Sequence, residues 1–278
     1  MFTNYQPSVS ENIKNYPIYL VTFLCAGPLT SILARDKITT STDVVILRLT
    51  GGSDMGRMIY HGSAFVVSSP EFGKGRDDND YGSGFYCTED TELAKEWAAV
   101  DENGGFLNCY EIADAGMKGF DLTLPDDRNA EYNVLQWLAV LLENRNLRLG
   151  SPIEKRGKEY ILSHYLPDLS GYDYLIGYRA DDSYFSFARA FLNNTITVGQ
   201  LSAAMHFGEL GLQYVLKSKR IFKQIRFLEA IPVNGDEYWP RRRKRDETAR
   251  EKYRKMLEEE AEDGLYLNML ISGARKKS

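Results

Sequence analysis

The chain has 278 residues, 43% of them hydrophobic, and a formal net charge of −5. That length buries a sizeable core as one large domain or a domain with appendages, and the mild acidity gives no global electrostatic case for a nucleic-acid or membrane partner. Three cysteines, Cys25, Cys87 and Cys109, with no Cys-x-x-Cys spacing, suit a reducing cytoplasm better than a disulfide framework and carry no zinc signature, so no metal is expected.

Residues 1–57 read as an N-terminal extension without an assigned role. Its apolar stretch, residues 16–36, has only Lys14 as a preceding basic residue and is interrupted by Pro28, so a buried strand or helix is expected there rather than a signal peptide or membrane anchor. Val44 to Leu49 is β-branched and bounded by Asp43 and the Gly51-Gly52 break, which predicts a strand. A catalytic module is expected from 58 to 235. It opens with a strand over Met58 to Val67, a polar glycine-rich loop, and a short buried strand in Ser-Gly-Phe-Tyr-Cys-Thr. Asp90 or Thr88 then caps a helix in which Leu93, Ala94, Trp97 and Ala98 recur at helical spacing.

Gly-Phe-Leu-Asn-Cys-Tyr-Glu-Ile-Ala predicts a second apolar strand, closed by a turn-rich stretch. An amphipathic helix follows, with Tyr132, Leu135, Leu138, Val140 and Leu142 in its apolar stripe. The run from Tyr172 to Asn194 passes from strand to helix, Thr197 with Gln200 forms a capping-box pattern, and Leu212 to Ser218 and Ile225 to Ile231 predict strands. Residues 236–278 change character to a charged helical segment. Arg241 to Arg245 is the dense basic cluster; the acidic block Glu258 to Glu260 offsets it, so a solvated helix surface is the expectation, with nucleic-acid docking as the alternative.

Familiar catalytic motifs fail. Gly-Ser-Gly-Phe-Tyr-Cys lacks the third glycine of a dinucleotide fingerprint, and Glu-Phe-Gly-Lys-Gly-Arg lacks phosphate-loop spacing. No zincin helix, nucleophile elbow or kinase signature occurs. What remains is His61-Gly62 on one strand, Gly82-Ser-Gly84-Phe-Tyr86 on another, and Trp97 eleven positions after that tyrosine. Alone, His61 is more often a hydrogen-bonded core or turn histidine, and Tyr86 and Trp97 are ordinary core aromatics.

Together these residues resemble the ADP-ribosyltransferase superfamily, in the His-Tyr-Glu branch that includes poly(ADP-ribose) polymerases and diphtheria-like toxins. Tyr60 to Ala98 is most similar to an uncharacterised bacterial domain family of that branch, opening Tyr-His-Gly-Ser. Ile176 to Phe185, Gly211 to Phe227 and Arg241 to Arg250 fit it too, so the resemblance spans roughly residues 58–250. It implies an α+β fold in which split antiparallel β-sheets form an NAD cleft with flanking helices. It also implies that NAD is the substrate, with no metal.

Residue by residue, the resemblance gives His61 a hydrogen bond to the adenosine ribose and Gly62 a backbone grip on the nicotinamide carboxamide, where a side chain would keep the ligand away. Tyr86 and Trp97 correspond to the aromatics that flank the nicotinamide. Ser63 and Gly84 complete the two motifs beside the cofactor. Arg76, in the polar loop, is either a phosphate ligand or a solvated arginine. The loop itself, flanked by glycines, is expected to move over the cofactor.

The third position of the triad departs from the name, because the strand residue that is Glu in the polymerases is Gln213 here. An amide can hydrogen-bond a ribose hydroxyl but carries no charge and cannot take a proton at neutral pH. The expectation is therefore transfer of a single ADP-ribose without chain elongation, with Asp182 first, then Asp181 or Glu209, as substitute acids. NAD glycohydrolysis, or an inactive NAD-binding or protein-interaction module, are the alternatives that Gln213 keeps open. The resemblance further implies an unknown macromolecular acceptor, a neutralising antitoxin partner, and a cytoplasmic protein or one delivered into a target cell.

Overall fold

The computed structural model describes residues 56–124, 133–180, 184–205, 211–258 and 264–277. The apolar stretch at 16–36, the strand expected from Val44, and the candidate acids Asp181, Asp182 and Glu209 lie outside the described residues.

In chain order the elements are β1 (Arg57–Ser63), β2 (Phe85–Cys87), α1 (Thr91–Ala98), β3 (Gly105–Ile112) and β4 (Gly119–Asp121). Next come α2 (Asn133–Asn144), α3 (Pro152–Tyr165), β5 (Tyr174–Tyr178), α4 (Tyr184–Leu192), α5 (Val198–Met205) and β6 (Leu212–Leu216). Last are α6 (Lys219–Phe222), β7 (Ile225–Val233), α7 (Gly235–Glu258) and α8 (Leu267–Lys277). The chain is thus α+β.

The strands form two sheets, in the orders β1-β3-β7 and β2-β6-β5-β4. The first is antiparallel throughout, whereas in the second β4 runs parallel to β5, so that sheet is mixed rather than purely antiparallel. β4 lies in the stretch expected to be turns. Three residues give too short an alternation to register as a strand, and it exists because β5 supplies the pairing. Among the described residues one isolated bridge links the sheets: Tyr60 N donates to Thr88 O at 2.8 Å and Thr88 N to Tyr60 O at 2.9 Å.

Period-two alternation sorts side chains into layers. Ile59, Tyr110 and Ile112 of the first sheet meet Cys87, Tyr214 and Leu216 of the second in one apolar cluster. Leu107 and Cys109 point the opposite way, onto Ala94 and Ala98 of α1. Val215 faces the largest cluster, built by α2, α4 and α5 behind the second sheet. α1 lies so close to β1 that a Cβ on Gly62 would sit 1.9 Å from Ala94 O and 2.6 Å from Ala98 N. Gly62 is therefore demanded by helix–strand packing, a different reason from the ligand approach expected of it.

Caps set the helix starts. Asp90 Oδ1 accepts from the backbone of Glu92 at 2.9 Å and Leu93 at 3.1 Å, opening α1. The Thr197–Gln200 box opens α5 as expected, with bonds of 3.0 and 3.1 Å. α3, missed in the sequence, buries only Glu154, Gly157 and Ile161; its signal was the Ser151–Glu154 capping box.

Gly52–Ser278 form one compact unit that includes the charged helix. Within it α7 packs on α1 through a ladder of ion pairs. Arg245 grips Glu96 with two bonds, at 2.8 and 2.7 Å, and Arg241 reaches Glu92 at 3.1 Å. Positions 241 and 245 are one helical turn apart and face α1, so the basic cluster is partly an internal seam rather than a solvated surface. Among the described residues, no helix is long and apolar enough to cross a membrane.

Candidate functional site

A cleft of about 590 Å³ opens where β1, β2, α1 and the start of β6 converge. His61, Gly62, Gly84, Tyr86, Trp97 and Gln213 all line it. Six of the expected residues thus come together from positions spread over most of the folded chain.

β1 and β2 are joined at the cleft by side chain as well as backbone: His61 Nδ1 lies 2.7 Å from Tyr86 O. A carbonyl only accepts, so Nδ1 carries the proton and donates. Burial lowers the affinity of the imidazole for a second proton, outweighing the carbonyl that favours it. The ring is therefore neutral at pH 7, and Nε2 is left with a lone pair that can accept a ligand O–H. Phe85 holds it from one side, with ring centres 4.6 Å apart.

Tyr86 presents a ring rather than an acid. Its hydroxyl donates to Gly82 O at 2.6 Å and accepts from Tyr81 N at 3.0 Å, and burial pushes its pKa far above the usual phenol range. Trp97 supplies a second aromatic surface, with the Arg179 guanidinium 5.3 Å over its ring. Its indole Nε1 is the one enclosed side-chain polar atom without a partner among the described residues.

Gln213 is 4% exposed, and its Nε2 donates to Asp80 Oδ2 at 3.2 Å. Asp80, 6% exposed, also accepts from Ala180 N at 2.9 Å, and Arg145 Nε stands 3.7 Å from its other oxygen. Burial raises the Asp80 pKa, opposed by the Ala180 and Gln213 hydrogen bonds and by Arg145 and Arg179.

Sequence reasoning missed Asp80, since it ends the polar run Asp77-Asp78-Asn79-Asp80, whose composition is that of a solvated loop. What buries it is its neighbour. Tyr81, 2% exposed, donates through its hydroxyl to Tyr178 O at 2.6 Å and accepts from Trp137 Nε1 at 3.1 Å. The loop expected to move is thus anchored at this end, with Lys217 Nζ holding Tyr81 O at 2.7 Å.

Two expected residues stand apart from the cleft lining. Arg76 pairs with Asp78 at 2.7 and 2.8 Å on the exposed outer side of the loop, because a carboxylate two residues away is its nearest partner. Ser63 donates to Phe65 O at 2.6 Å and accepts from the buried Asn108 at 3.0 Å, which pins the chain where it leaves β1. Asp182 lies outside the described residues.

The cleft also gathers Lys74, Arg145, Arg179 and Arg242 against the carboxylates Glu71 and Asp80. Among the described residues the lining therefore carries more cationic than anionic side chains. No group of His, Cys, Asp and Glu among the described residues could hold a metal ion.

Fold and site define an α+β protein with an aromatic-walled, cationic cleft between two small sheets. Residues 57–227 match the family model described as Protein of unknown function (DUF3990), and the chain belongs to that family. The match begins with β1 and ends within β7, so it contains the cleft residues apart from Arg242. No curated protein and no solved structure matches the chain.

Proposed function

We propose that this protein is an NAD-dependent mono-ADP-ribosyltransferase, of the His-Tyr-Gln kind that its motifs resemble, with the two small sheets as the split NAD cleft of that fold. The observation that carries the reading is the convergence of His61, Gly62, Tyr86, Trp97 and Gln213 on one cleft. Residues separated by long stretches of sequence, each tied by the resemblance to one ligand, share one cavity.

The chemistry available there suits the reaction. The bond between the nicotinamide nitrogen and ribose C1′ breaks, its electron pair leaves with nicotinamide, and the cationic ribosyl carbon is taken by an acceptor nucleophile, whose proton passes to a base or solvent. Tyr86 and Trp97 offer flat apolar surfaces for the leaving ring. The His61 Nε2 lone pair accepts a ribose hydroxyl, and the cleft cations suit the pyrophosphate. A neutral amide at 213 supports positioning without chain elongation. The acceptor is a macromolecule of unassigned class, and a neutralising partner protein belongs to the same reading by analogy with the bacterial toxins of the branch.

The test is nicotinamide release from NAD by the unaltered protein and by His61→Ala, with and without cell extract. Release that needs extract, with a fall of at least about 100-fold in His61→Ala, is the expected result. Release without extract makes the protein a glycohydrolase. NAD binding without release makes it a binding module.

A further inference from the structure

Asp80 and Gln213 form a buried pair inside the cleft. Asp80 Oδ2 accepts from Ala180 N at 2.9 Å and from the Gln213 NH2 at 3.2 Å, so the end of the amide turned to Asp80 is its NH2. The amide oxygen is thereby turned away from Asp80. Gln213 Oε1 takes no hydrogen bond from the described residues, yet the one enclosed, unpartnered side-chain polar atom is Trp97 Nε1. Oε1 is therefore open to the cleft that Gln213 lines.

We propose that Asp80 is the positioning residue for Gln213: by clamping the amide NH2 it directs Oε1 at the bound ribose, and the pair together does the work of a single carboxylate. The proposal rests on the NAD reading above. In it, a ribose hydroxyl donates to Oε1, and the Asp80 charge behind the amide polarises its carbonyl. Negative potential is then aimed at the carbon where positive charge develops. The amide faces the substrate and the charge stands one residue behind it, held by Ala180 N and faced by Arg145, Arg179, Tyr81 and Tyr86. Without Asp80 the amide has no reason to prefer one orientation over its flip.

The decisive experiment is a reciprocal exchange, reading kcat and KM for nicotinamide release together with thermal unfolding. Asp80→Asn leaves two amides and frees Gln213 to flip; kcat is expected to fall about 100-fold, with KM for NAD changed far less. Gln213→Glu sets two carboxylates against each other, so that one must hold a proton, and its kcat is expected to drop as pH rises through that shared titration. The double variant Asp80→Asn/Gln213→Glu keeps one acid, one amide and one N–H···O bond with the donor reversed, and is expected to regain kcat to within about tenfold of the unaltered protein.

A folded Asp80→Asn protein with unaltered kcat overturns the proposal and leaves the NAD reading standing. So does a double variant that binds NAD but stays as slow as the single ones. Should Asp80→Asn fail to fold, the double variant decides by the same criterion. If the unaltered protein leaves NAD intact under every condition, the NAD reading falls and the proposal with it.

Discussion

At the scale of single residues, His61 shows how a backbone contact sets chemistry. Its Nδ1 proton is committed to Tyr86 O, and burial keeps the second nitrogen unprotonated. Stability carries the same signature. The folded imidazole binds its proton less readily than the ordinary value of 6.5, which the unfolded chain keeps. As pH falls through that value the unfolded state takes up a proton and the folded state does not, so stability is lost on acidification and is flat above it. Denaturation midpoints between about pH 5 and 8 should show this slope, and His61→Phe should flatten it. A slope unchanged in that variant would assign the acid sensitivity to other groups. Motif spacing made His61, Tyr86 and Trp97 legible as candidates. The tautomer was not, because it depends on a carbonyl in another strand.

At the scale of elements, the contact between α1 and β1 sets the aromatic wall. Trp97 rides on α1, and α1 can approach β1 only because position 62 has no side chain: a Cβ there would lie 2.9 Å from Trp97 Cβ as well as against the helix backbone. Gly62→Ala should therefore lift the helix. The expected cost is roughly 1–3 kcal/mol of stability, as for an overpacked core, together with, on the proposed reading, a loss of NAD affinity greater than the stability change explains. Urea denaturation and a binding titration on the same sample separate the two effects. Wild-type affinity in a destabilised variant would mean that Trp97 does not touch the ligand. The strands and most helices were readable from alternation and caps. β4 was not, since its pairing with β5 rather than its own composition makes it a strand. The partner of the basic cluster was equally hidden, because Glu92 and Glu96 meet Arg241 and Arg245 only when two distant helices pack.

At the scale of the whole molecule, charge is distributed against its own average. A net −5 chain places Lys74, Arg145, Arg179 and Arg242 around one cleft, the last contributed by α7. On the proposed reading, binding of NAD through its anionic pyrophosphate should weaken with salt; its Kd is expected to rise severalfold from low to high ionic strength, as titrations at several salt concentrations would reveal. A Kd indifferent to salt would leave the cleft cations without a role in phosphate recognition.

By itself, the sequence pointed to an α+β chain, to most of its strands and longer helices, and, through the family resemblance, to six residues of the cleft: His61, Gly62, Gly84, Tyr86, Trp97 and Gln213. The elements rest on local patterns, alternation along a strand or spacing along a helix, whereas the cleft residues rest on the resemblance of short motifs to a known family. Only the tertiary structure decided that Asp80 is buried against Gln213, that Arg76 faces away, and that α7 brings Arg242 to the cleft. A charged residue in a polar loop has the same composition whether solvated or buried. What separates the two cases is a neighbour such as Tyr81, whose ring enters the core beneath β5 and draws the adjacent carboxylate in with it.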